Sequence, residues 1–333
     1  MINFQIHKNG QQIEFEKNNV NFNDKNFQTL FIFHGLYGRG KNWQTFSKKL
    51  SKEKNQIVVT VDLRNHGGND FEEDMSYILM MNDVVSLFNF LGVEKTNLLG
   101  HSMGGKLAMI ITLLEPKYVN KVIIADIAPI DYDNDDNLII NSLLDMNLDL
   151  IKSRGEADFV LSKYIDKKFL RSFLLQNLEL VDGKYKWSIN LKAIKKSLND
   201  LRNFPTINNI NRFDNEVLCI YGGKSNYVKK EYFKILIFNI QCAETIELIL
   251  MMKQFLKRDY FMEQNQVFNT IFLFQQILKL LNILILVWEE IIVKFGLIKQ
   301  FENLIMICYL NLCRLKIQLT ALIGFQNITI VLR

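Results

Sequence analysis

The run Leu98-Leu99-Gly100-His101-Ser102-Met103-Gly104-Gly105-Lys106 places a serine between glycines, with an apolar strand ahead and a helical segment behind. Gly-x-Ser-x-Gly in that setting predicts a sharp strand-to-helix turn with the serine at its apex. Ser102 is then expected in a strained backbone conformation, its hydroxyl projecting at the top of a sheet. Gly100 and Gly104 keep the crowded neighbouring positions free of a Cβ. A helix starting near Met103 puts unpaired N–H groups and the positive end of its dipole beside the hydroxyl. Such a serine suits acyl transfer. Short glycine motifs recur by chance, and the strand before and helix after are what weigh against a purely structural match.

A serine hydroxyl is a weak nucleophile and needs a general base, which in turn needs an orienting carboxylate. On a turn of this kind the chain order is Ser, then Asp or Glu, then His. Two later strand ends qualify by position. Asp126 ends the segment Lys-Val-Ile-Ile-Ala-Asp, whereas the turn Gly222-Gly223-Lys224-Ser225-Asn226 offers no carboxylate. Asp126 is therefore the candidate acid; its competing role is that of a cap or turn aspartate. The oxyanion of acyl transfer calls for two backbone N–H donors. Met103, after the nucleophile, supplies one. Leu36, in Phe33-His34-Gly35-Leu36-Tyr37-Gly38, supplies the other.

The chain has four histidines, His7, His34, His66 and His101, and none follows Ser102. His34 is expected to brace its loop rather than move protons. His66, in Asp62-Leu63-Arg64-Asn65-His66-Gly67, is expected to order a second loop at the strand edge. His101 sits inside the turn, where side chains face the core or a neighbouring loop. The base expected after the last strand is missing.

These residues need a scaffold. Strand patterns occur over Gln12–Lys17, Thr29–Phe33, Gln56–Asp62, Thr96–Leu99, Lys121–Asp126 and Val217–Tyr221. Helical spacing occurs over Asn42–Lys52, from an Asp74 or Ser76 cap to Leu91, and over Met103–Leu114, with Pro116 as a stop. The alternation predicts an α/β fold with a doubly wound, mostly parallel sheet. From Asp131 to about Pro205 the pattern turns helical and polar, with Ile139–Ile151, Ala157–Ile165 and Ile189–Leu201 as helices. This stretch reads as a helical cap inserted over the carboxyl edge of the sheet.

The chain has 333 residues, 49% hydrophobic, enough for one large α/β domain with an insertion. Its net charge of +5 comes without a basic stripe interleaved with aromatics, so a nucleic-acid partner is not expected. Cys219, Cys242, Cys308 and Cys313 share no metal-ligand spacing with histidines, which points to a reduced, cytoplasmic protein with no metal. The first ten residues carry no apolar core of signal-peptide length.

Taken together, the motifs resemble the small α/β-hydrolase esterases of the YbfF and ABHD-eleven type. The resemblance rests on HGLYGRGKNW (34–43), DLRNHG (62–67), GHSMGGK (100–106), DIAPIDY (126–132) and YGGKSNYV (221–228). It implies an α/β-hydrolase core, and hydrolysis of carboxylic esters or acyl thioesters without a metal or organic cofactor. It also implies Ser102 as nucleophile, Asp126 as triad acid, Leu36 and Met103 as oxyanion donors, and a mitochondrial location as the alternative to the cytoplasm. In the family a Gly-His-Trp-like segment carrying the base follows the YGGKSNYV region. This chain departs from that pattern near Phe233–Gln241.

The boundary is therefore drawn at 232, with the hydrolase core and cap before it. Phe233–Arg333 holds no proline or histidine, one aspartate and two glycines, but nine of the chain's glutamines. Turn chemistry is nearly absent. One reading is a native tail on a degenerate hydrolase that binds ligand without turning it over. A second is a frame error or retained intron in an AU-rich gene, or a code that reads stop codons as glutamine. A third is a membrane anchor at Phe272–Trp288, but Gln275, Gln276, Lys279 and Asn282 interrupt it. A lysine at mid-membrane costs about 2.5–3.5 kcal/mol on insertion scales. If ordered, the tail is expected to be helical, with Ile277, Leu280, Leu281, Leu284 and Ile285 on one face.

Overall fold

The computed structural model describes residues 1–16, 19–53, 55–133, 137–207, 213, 215–222, 225–229, 232 and 244–248. An eight-stranded sheet runs through it. Its strands are β1 (Phe4–Lys8), β2 (Gln11–Ile13), β3 (Gln28–Phe33), β4 (Gln56–Val61), β5 (Thr96–His101), β6 (Val119–Ala125), β9 (Val217–Gly222) and β10 (Glu244–Leu248). Across the sheet the order is β10-β9-β6-β5-β3-β4-β1-β2, with β1 and β2 antiparallel and the rest parallel. The central strands are apolar on both faces, with Phe31, Ile32, Phe33, Leu98 and Leu99 fully buried. That is the pattern of a parallel sheet covered by helices on both sides.

The covering helices are α1 (Gln44–Glu53), α2 (Tyr77–Leu91) and α3 (Met103–Leu114). α2 starts where the Ser76 side chain accepts from Leu79 N–H, and stops at Gly92, which takes a left-handed conformation at φ 67°. α3 is almost wholly buried and packs on both β5 and β6. The strained positions sit at its start: Ser102 has φ 52° and ψ −118°.

Between β6 and β9 lie α4 (Asn137–Leu144), α5 (Arg154–Ser162), α6 (Lys168–Leu174), a hairpin of β7 (Leu178–Val181) and β8 (Lys184–Trp187), and α7 (Leu191–Arg202). The insertion differs in detail from the sequence expectation. The first expected helix, 139–151, ends at Leu144, and a short 3₁₀ turn covers Leu148–Leu150. α6 and the hairpin were not anticipated. The hairpin turns through Asp182 (φ 52°) and Gly183 (φ 74°), both in the left-handed region that a two-residue turn requires. The expected strand at 12–17 is only Gln11–Ile13.

Two further departures bear on the site. β6 ends at Ala125, so Asp126 lies beyond the strand, at φ 56°. Within the stretch after 232, residues 244–248 form β10, parallel to β9. The stretch 272–288 weighed as a membrane anchor, the helical face at 277–285, and Cys242, Cys308 and Cys313 lie outside the described residues. Among the described residues no helix is long and apolar enough to cross a membrane.

Candidate functional site

The turn at Ser102 is held by close backbone packing. A Cβ on Gly100 would stand 2.1 Å from Gly104 O, and one on Gly104 would stand 2.3 Å from Phe33 O. Neither carbonyl can withdraw without breaking the sheet or the helix, so both positions require glycine. The Ser102 N–H donates to Ala125 O (3.0 Å), and Ser102 O accepts from Gly105 N–H and Lys106 N–H (2.8 and 3.1 Å). The backbone of the serine is thereby fixed on both sides. Its side chain makes no capping hydrogen bond, and the residue is partly exposed.

The loop after β3 closes on this serine. A Cβ on Gly35 would lie 3.3 Å from Ser102 Cβ and 3.0 Å from His101 Nδ1. Gly35 O accepts from Gly38 N–H (2.9 Å) and faces His34 Nδ1 (2.8 Å), so that carbonyl is turned into the loop. The Leu36 N–H, on the next peptide, donates to no group among the described residues, and neither does the Met103 N–H at the start of α3. Among the described residues two backbone donors are thus unspent next to the serine, one on Met103, which follows it, and one on Leu36, which follows the Gly35 that packs against it. Together they are what an incoming oxyanion would need.

Histidines make this half of the site rigid. His34 Nε2 accepts from Leu63 N–H (2.9 Å) and His66 Nε2 accepts from Tyr37 N–H (3.2 Å), so the loops after β3 and β4 brace each other. With Nε2 accepting, Nδ1 must carry the proton, and it donates to Gly35 O in His34 and to Arg64 O (2.9 Å) in His66. Burial pushes the His34 pKa down to about 4, against a smaller opposing pull from the Gly35 bond. Burial, with His34 adding to it, pushes His66 down to about 3. Both rings are neutral struts, as the sequence suggested. His7 is buried on β1, away from this edge, and burial lowers it to about 4.

Sequence reasoning passed over Asp62. Its carboxylate accepts from Gly40 N–H (2.6 Å) and Gly68 N–H (3.0 Å), stapling the same two loops. A Cβ on Gly67 would overlap that carboxylate at 2.2 Å. The signal was present in Asp62-Leu63-Arg64-Asn65-His66-Gly67, where an acid at a strand end precedes a left-handed glycine (φ 62°). The cap adds to the brace. Asn177 Nδ2 donates to Tyr37 O (2.8 Å), and Arg39 pairs with Glu179 of β7 (2.8 Å).

The other half is sparser. Ala125 pairs with His101 in register, so Asp126 stands one strand over from Ser102 at the same edge of the sheet. Its N–H donates to Ile220 O (2.7 Å), and its Oδ1 accepts from Gly222 N–H at 3.4 Å. Ser102, Asp126, Leu36 and Met103 thus gather at the carboxyl ends of β3, β5 and β6. His101 is exposed; its ring lies against Gly35, with its centroid 6.5 Å from that of Trp43. Among the described residues no group of His, Cys, Asp or Glu could hold a metal ion.

Residues 28–236 match the model of the alpha/beta hydrolase fold. The chain belongs to the α/β-hydrolase family. Its relatives include esterases and lipases. It is 32% identical over 210 residues to the sn-1-specific diacylglycerol lipase ABHD11 of Xenopus laevis, covering 61% of this chain and 67% of that one. It is 29% identical to the esterase YbfF of Escherichia coli, over 63% of this chain and 80% of that one. A solved marine microorganism esterase is 31% identical and superposes with a TM-score of 0.66, covering 74% of this hydrolase and 90% of its own chain. The mostly parallel sheet with helices on both faces is accordingly that of the alpha/beta hydrolase fold.

Proposed function

We propose that this α/β-hydrolase cleaves carboxylic esters or acyl thioesters of small acyl substrates through an acyl-enzyme on Ser102. The observation that carries the reading is the pair of unspent N–H donors, Leu36 and Met103, flanking a serine whose backbone is fixed and whose hydroxyl is not used as a cap. The Ser102 oxygen attacks the acyl carbonyl, and the two N–H groups take the charge that develops on its oxygen. The tetrahedral intermediate collapses, the alcohol or thiol leaves with a proton, and water then releases the acid from the serine ester. Asp126 is the carboxylate placed to orient a base.

Proton transfer is the weak step. No histidine follows Ser102 in the sequence, and two of the histidines at this edge are spent as struts. With no imidazole in the family's base position after the last strand, the serine proton goes to solvent water or hydroxide. Catalysis left after loss of a triad member is on the order of 10³–10⁴ over water, from the oxyanion hole and binding alone. The same reading takes residues 1–232 as the hydrolase unit, with a cap at about 131–205, and 233–333 as a departure from the family's usual ending.

A fluorophosphonate probe tests the nucleophile directly. Labelling of the full chain that Ser102→Ala abolishes is the expected result. Absence of both labelling and ester turnover would leave the scaffold as a ligand-binding protein and overturn the proposal.

A further inference from the structure

Among the described residues Lys106 is the most deeply buried lysine, arginine or carboxylate, at 1% exposure, and nothing in ester hydrolysis uses it. It sits on the first turn of α3, where its own N–H closes on Ser102 O. Its ammonium donates to two carbonyls, Ile130 O at 2.8 Å and Arg202 O. Ile130 is the last residue before the cap, and Arg202 is the last residue of α7, the final cap helix. One side chain therefore holds both strands of the neck through which the cap joins the sheet.

Other contacts close the same neck. The Lys106 ammonium stands 4.7 Å from the centre of the Tyr132 ring, over its face. Tyr132 Oη accepts from Ala128 N–H (2.9 Å) and donates to Tyr227 O (2.5 Å). Phe204 N–H donates to Asp131 (2.9 Å), and Tyr77 Oη donates to Leu201 O (2.8 Å). Burial pushes the Lys106 pKa down to about 7, while Asp131 pulls it part of the way back. A charge-bearing group would not be kept in so dry a place unless its donors were engaged, and here two of its three N–H groups are spent on the two ends of the insertion while the ammonium lies over the Tyr132 ring.

We infer that Lys106 is a positioning residue that clamps both ends of the cap to the first turn of the helix carrying Ser102, and so sets the cap's seating over the acyl site. The inference rests on the ester-hydrolase reading for its consequence in turnover, but not for the clamp itself.

The test is Lys106→Met in the full chain, which keeps the stem and removes the donors. Amide hydrogen exchange at Ala128, Asn203 and Phe204 is expected to quicken at least tenfold, with β3 and β5 amides unchanged. Turnover of a long-chain ester is expected to show a KM at least fivefold higher with kcat within twofold, and a short-chain ester no change. Unchanged exchange at the neck, or equal loosening of neck and sheet, would overturn the clamp. If turnover independent of Ser102 is all that is seen, the ester reading fails and the exchange result still decides the clamp. Should Lys106→Met not fold, amine acetylation of the wild-type chain replaces it. Lys106 is expected to react at least a hundredfold more slowly than the exposed Lys117, with acetylated molecules exchanging faster at the neck. Reaction of both lysines at similar rates would contradict the clamp.

Discussion

The two sides of Ser102 are built to different standards. On the β3–β4 side, two buried neutral histidines, the Asp62 carboxylate and the cap residue Asn177 all fix the loop that carries Leu36. On the β6–β9 side, Asp126 is held among the described residues by one side-chain bond at 3.4 Å, and no histidine follows the serine in the family's order. In the proposed mechanism one side would stabilise charge and the other would move a proton. These are separable tasks, since electrostatic stabilisation survives loss of the base. The molecule is therefore read as an acyl-binding half that is complete and a proton-transfer half that is not.

Ser102→Ala gives the largest effect, because both halves act through that oxygen. Fluorophosphonate labelling is expected to be lost altogether, whereas ester turnover falls less, because part of the residual rate over water comes from the oxyanion hole and binding rather than from the serine. Leu36→Pro deletes one oxyanion donor behind a permissive Gly35, and is expected to cost about 10²–10³ in kcat with thermal unfolding little changed. A loss below tenfold would mean that the charge-stabilising half is not where the unspent donors are.

The brace itself can be broken by pH. Each histidine has a folded pKa below the 6.5 of the free side chain, so the unfolded chain binds more protons between the two values. Their contribution is therefore present above about pH 6.5 and is lost as pH falls to about 4 for His34 and about 3 for His66. For His34 that loss is at most about 3 kcal/mol. Denaturant unfolding of His34→Phe is expected to be about 1–3 kcal/mol weaker at pH 7, from the unpaired Leu63 N–H, and flatter from pH 6.5 to 4. An unaltered acid limb would remove His34 from the brace.

Asp126→Asn is expected to have the smallest effect, a loss of under about tenfold in kcat, since no imidazole follows Ser102 in the chain for the carboxylate to orient as the family's base. In a complete triad the same change costs about 10⁴. A loss of that size here would show that a base is present after all.

The legible parts of the chain were those where one residue has one physical reason to be there. Gly100 and Gly104 meet backbone atoms, so the turn at Ser102 could be read from glycine spacing. The buried strands advertised themselves by β-branched runs such as Gln56–Val61. The cap was harder, because its helices are short and half-exposed. α6 has only seven residues, too few for a clear period. The β7–β8 hairpin did carry a signal in Asp182-Gly183, but its exposed Leu180 and Val181 gave no alternation. Asp126, read as the end of its strand, lies just past β6, with a left-handed backbone that the strand pattern did not foretell. Lys106 was visible only as the last letter of a motif. Its partners are carbonyls 24 and 96 residues away, which no local pattern encodes.

The pH dependence of kcat/KM for a simple ester, taken as wild type minus Ser102→Ala from pH 6 to 9, puts the contrast between the two halves to its most direct test. Without an imidazole base, the Ser102-dependent rate is expected to rise about tenfold per pH unit with no plateau. A sigmoid that levels off near pH 7 would reveal a working base and contradict an incomplete proton-transfer half.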